Sequence, residues 1–120
     1  MPVTLVMRRL YYFLLLIFLF GSCHSYSEPF DRHGYLILTK HALCRMDCRH
    51  ISMKEIREIL DKGTINYAKS EPDAHPDSKY AVEGFTEEHQ HLRIIIAPEN
   101  GKLIVVTCIE LGVEWQCDCN

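Results

Sequence analysis

Three basic side chains stand four residues apart in one stretch of this sequence: His41, Arg45 and Arg49, with Lys40 and His50 beside them. On a helix that spacing lines the three along one face. Histidine is the side chain whose proton moves near neutral pH, and guanidinium groups make bidentate contacts to phosphate. The stripe therefore offers a proton-transfer group flanked by two anion-binding groups. The plainer alternative is a solvated face, salt-bridged to Asp47 or to glutamates of a following helix. From later in the chain, Arg93 and Thr107 are candidates to line the same cleft, and His89 or His91 would supply a second proton-transfer group.

The cysteines are the second set with chemistry. Cys44 and Cys48 form a C-x3-C pair, Cys117 and Cys119 a C-x-C pair at the end of the chain, and Cys108 lies in the apolar run LIVVTCIEL. Cysteines four apart on a helix, or two apart on a strand, project in parallel, so bonding within either pair is awkward and bridges between the pairs are favoured. Cross-pairing would close a loop of about 70 residues, worth roughly 4 kcal/mol in the chain-entropy model. Four thiolates in two close pairs, or His41 with three of them, also suit tetrahedral zinc, so a metal site on Cys44, Cys48, Cys117 and Cys119 stays open beside the disulfides. Cys108, in its apolar setting, is expected as a free, buried thiol. No cofactor is called for.

These groups need a scaffold. Thr39 can cap a helix over 40–49. Ser52 followed by Glu55 is a capping box, and Met53, Ile56, Ile59 and Leu60 make an apolar stripe that stops at Lys62-Gly63. From residue 64 the pattern turns to short runs broken by turn residues, predicting strands over 64–69, 80–85, 92–97 and 103–110, with 35–38 as a short apolar lead-in. The run 71–78, EPDAHPDS, is a loop, and Pro98-Glu-Asn-Gly101 signals a hairpin. The fold class is α+β, two helices followed by a four-stranded antiparallel sheet over 35–110, with 111–120 as a strap that its cysteines pin down. Trp115 is expected to pack that strap onto the domain.

The N-terminus supplies an address. Arg8 and Arg9 precede an apolar run over 10–20 that ends in Gly21, Ser22 and Cys23. A membrane span needs ~20 apolar residues, so this run reads as the core of a secretion signal over 1–22. The ending resembles the bacterial lipoprotein signal, with Phe20 where leucine is usual. That resemblance implies acylation of Cys23, a tether over 23–34 and permanent attachment to the membrane. His24, in place of a retention aspartate, favours the outer membrane, periplasmic side. Simple cleavage after Ser22, giving a soluble product, is the alternative, and Met7 is an alternative start. Without the leader, eleven basic residues face sixteen acidic ones, a balance that does not favour nucleic acid. Five cysteines remain in a compartment where thiols oxidise.

The run HALCRMDCRHISMKEIREILDKG, followed by a tyrosine-bearing strand and by LRIIIAPENGKLIVVTCIE, resembles the bacterial domain of unknown function 4258 family over about 36–110. The carrying positions are His41, Arg45, Arg49, Ser52, Val105, Val106 and Thr107. The resemblance implies kinship with the RelE-like and barnase-like small ribonuclease folds. It would make His41 the base or acid for a metal-independent attack of a ribose 2′-hydroxyl, with Arg45 and Arg49 stabilising the phosphorane. Fold kinship does not fix function. An acylated, acidic domain facing the periplasm meets little RNA, which puts a binding module for an envelope protein, peptide or glycan ahead. RNA cleavage is the alternative reading, and a zinc-binding lipoprotein is the second.

Overall fold

The computed structural model describes residues 2–19, 21 and 26–119. Cys23, on which the lipidation reading rests, lies outside the described residues, as do Phe20, Ser22 and His24. The element order is α1 (Pro2–Leu19), β1 (Tyr35–Leu38), α2 (Lys40–Arg49), α3 (Met53–Lys62), β2 (Thr64–Glu71), β3 (Lys79–Phe85), β4 (His91–Glu99) and β5 (Lys102–Glu110). The apolar N-terminal run is helical, within α1, as far as Leu19. Among the described residues, no helix is long and apolar enough to cross a membrane.

Helix α2 starts where Thr39 accepts from the Ala42 amide, and it stops at His50, whose left-handed backbone turns its N–H back to the last turn. Helix α3 starts at Ser52, whose hydroxyl accepts from the Glu55 amide and donates to the Glu55 carboxylate. The far end of α3 is closed from outside by Arg32, which donates to the Leu60 and Gly63 carbonyls while pairing with Glu28 at 2.7 Å. Arg57 returns two hydrogen bonds, to the Arg32 and Gly34 carbonyls. With Phe30 buried against Tyr80, the segment ahead of β1 is fastened to the domain.

The sheet has five strands in the order β1-β5-β4-β3-β2, antiparallel except that β1 runs parallel to β5. Four antiparallel strands and two helices were the sequence expectation, and the additions are β1 and α1. Residues 35–38 are too few to separate strand from lead-in by periodicity, and their partner lies 67 residues onward in the chain. The alternation is nevertheless that of a strand, with Leu36 and Leu38 packed on the core and Tyr35 and Ile37 outward. The hairpin between β4 and β5 turns on Asn100-Gly101, both at positive φ, which is the geometry that matches strand twist in a two-residue turn.

The core fills one side of this sheet. Ile56, Ile59 and Leu60 of α3 and Ala42 and Met46 of α2 pack on Val82, Leu92, Ile94, Ile96, Leu103, Val105 and Cys108. Helix α2 lies over β5, and α3 over β3 and β4. A bulge between Ile95 and Ile96 adds one residue to β5, so Val105 and Cys108 both face the helices although an odd number of positions separates them.

Candidate functional site

The cationic stripe forms on α2 as its spacing requires, but the strap runs along it. Cys48 is bonded to Cys117 and Cys44 to Cys119, with Cα separations of 5.9 and 5.7 Å, so residues 117–119 descend α2 antiparallel to it. The oxidised chain therefore has no thiolate left on Cys44, Cys48, Cys117 or Cys119 for zinc, and the zinc alternative does not hold for this state. Trp115 closes the other end of the strap, with its ring edge-on to His50 and its Nε1 donating to Glu110 at 2.9 Å.

His41 is committed at both ring nitrogens. Its Nδ1 is 2.9 Å from the Cys119 carbonyl oxygen, and Arg45 Nε donates to its Nε2 at 3.4 Å. A carbonyl can only accept and a guanidinium can only donate, so the tautomer with the proton on Nδ1 satisfies both contacts. Beside it lies a shallow hollow of about 330 Å³, bounded by Lys40, His41, Cys44, Asp118 and Cys119. Arg49 turns away from the stripe toward the sheet, where its Nη1 donates to the Cys108 carbonyl. Burial there pulls its pKa down, and the neighbouring Arg45 adds to the effect. The Cys108 thiol beneath is free and fully buried, and burial pushes it up to about 11 despite both arginines. A thiol so placed is a packing group, not a nucleophile.

Arg93 and Thr107 do not join this face. Cys108, on the helix side, is opposite Ile94, whereas Thr107 is opposite Ile95 and Arg93 opposite Ile109. Successive strand residues point to opposite sides, so Arg93 and Thr107 project from the side that α2 and α3 leave uncovered. The sheet separates them from His41 and Arg45. Of the five residues expected to share a cleft, only His41 and Arg45 are in contact.

On the uncovered face, Arg93 meets Glu83 at 3.1 Å, both side chains being less than a fifth exposed. Asn66 donates to the same carboxylate oxygen at 2.9 Å. Burial pushes the Glu83 carboxyl up, but these two hydrogen bonds and the Arg93 charge hold it below the usual value. One step along, Phe85 stacks on His91 with ring centroids 4.2 Å apart, and Phe85 stays two-thirds exposed. The neighbouring row, Asn66, Ala81, Ile95 and Thr107, is apolar at its centre. His89 sits apart in the turn before β4 at positive φ, its amide bonded to Thr86. Asn66, Glu83, Phe85, Ile95 and Ile109 were not singled out in the sequence. Their signal was two-residue alternation in β2 to β5, polar or half-buried residues between core positions.

Residues 38–110 match the model of a family described as a domain of unknown function, DUF4258. No curated protein and no solved structure matches the chain.

Proposed function

The chain belongs to the DUF4258 family, whose match covers more than half of it, and we propose that it is a bacterial envelope lipoprotein, anchored through Cys23, whose domain is a periplasmic binding module. The uncovered sheet face is its contact surface, for an envelope protein or peptide. The observation that carries this reading is the division of the charged residues by the sheet: His41 is held by the strap on one side, while the linked Arg93, Glu83 and Asn66 share the other with Ile95 and the exposed Phe85. A half-buried ion-pair network beside apolar side chains suits a protein partner more than it suits a reacting phosphate. The leader pattern and the oxidised cysteine pairs support an extracytoplasmic address.

The second reading, a metal-independent RNA-cleaving domain, rests on the contact between His41 and Arg45 and on the resemblance to RelE-like folds. Two experiments test the pair. Wild-type chain should sediment with membranes and Cys23→Ser should not; equal fractionation would remove the anchor. The oxidised chain in excess chelator should leave RNA intact. Cleavage to cyclic-phosphate ends that is lost in His41→Ala would replace the binding reading with the nuclease one.

A further inference from the structure

Two cysteines of α2, Cys44 and Cys48, and two of the strap, Cys117 and Cys119, form the two bridges. Cys44 and Cys48 are one helical turn apart, about 6 Å between Cα atoms. Each faces its strap partner across 5.7 or 5.9 Å, so four sulfurs converge on one small patch. The patch lies beside Lys40, His41 and Asp118, with Arg45 in contact with His41. The 330 Å³ hollow beside Cys44 gives an ion a way in. The strap is also held by contacts that do not depend on sulfur, from Trp115 to Glu110 and His50 and from His41 to the Cys119 carbonyl.

We propose that reduction converts this double bridge into a tetrathiolate metal site, and that zinc then clamps the strap in place of the disulfides. The inference is independent of what the sheet face binds. Two equivalents of a dithiol reductant supply two electrons and two protons each, cleaving both S–S bonds to four thiols as the dithiols close to disulfides. Binding of Zn²⁺ expels the four thiol protons and leaves a unit of net charge −2, which Lys40 and Arg45 offset. Zn–S bonds of about 2.3 Å would place the sulfurs about 3.8 Å apart, so both bridges must open for all four to face one ion. Such a site contributes to folding directly, so the metal should restore what reduction removes.

The test uses the full chain, reduced with dithiol, freed of reductant under argon and titrated with Co²⁺ and then Zn²⁺. The expected result is about one metal per chain, the charge-transfer absorption of tetrahedral cobalt thiolate, and return of the melting midpoint toward that of the oxidised chain. The oxidised chain, and a reduced variant carrying Cys117→Ser and Cys119→Ser, should show none of these. Less than about a tenth of an equivalent bound overturns the proposal. So does binding without recovery of the midpoint, or binding that survives in the double variant.

Discussion

Removing one of the two strap bridges should cost little more than a third of what removing both costs. The bridges span sequence separations of 75 and 69 residues. Either alone closes a long loop in the unfolded chain, worth about 4.5 kcal/mol in the chain-entropy model. Once one is in place, the other closes only a small ring made of the turn of α2 between Cys44 and Cys48 and the three residues from Cys117 to Cys119. That ring, roughly eight residues, is worth about 2.5 kcal/mol. Either pairwise variant, Cys44→Ala with Cys119→Ala or Cys48→Ala with Cys117→Ala, should therefore lose about 2.5 kcal/mol, and the fourfold variant about 7 kcal/mol. Equilibrium urea unfolding of the four proteins measures this, and the excess of about 2 kcal/mol over additivity is the diagnostic. Losses that simply add, or a fourfold variant as stable as wild type, would refute the reasoning. A loss of 7 kcal/mol would bring a domain of ordinary stability close to unfolding.

Other consequences follow from particular atoms. A Cβ at Gly63 would lie 2.5 Å from the Ile59 carbonyl oxygen and 2.7 Å from that of Glu83, both backbone atoms, so Gly63→Ala should lower stability by about 1–3 kcal/mol in thermal unfolding. Glu83 has a folded pKa below its ordinary value, so its stabilising effect is present above the unfolded pKa and disappears as pH falls through the folded one. Glu83→Gln should accordingly cost more at pH 7 than at pH 3; an equal cost at both would remove the ion pair from the account. The Cys108 thiol, buried and raised to about 11, should resist an aqueous disulfide reagent in the native chain and react once on unfolding.

Local features were legible in the sequence because they are fixed by a few adjacent residues. Thr39 and Ser52 cap the helices they precede, and Asn100-Gly101 turns the hairpin. The parallel cysteine directions within each pair favoured bridges between pairs, and the structure selects the antiparallel one of the two arrangements. The composite cleft was not legible, and the bulge in β5 explains why. Counting alternate residues from Val105 puts Thr107 on the helix side and Cys108 outside, but the extra residue at the bulge reverses both. Strand β1 escaped for a related reason: four residues gain strand character only from β5, which the chain supplies much later. The cap that Arg32 places on α3 is likewise a contact between residues 28 and 31 positions apart, with no local signature.

The binding face itself is most directly tested by photo-crosslinking in intact cells, with the reactive side chain placed at Ile95 or Ile109 on the uncovered sheet face and, as controls, at Lys54 or Lys62 of α3. Adducts of one discrete size from Ile95 and Ile109, and none from the two control positions, are the result this account predicts. Adducts only from the α3 positions, or none from any of the four in cells that hold the chain at the membrane, would contradict it.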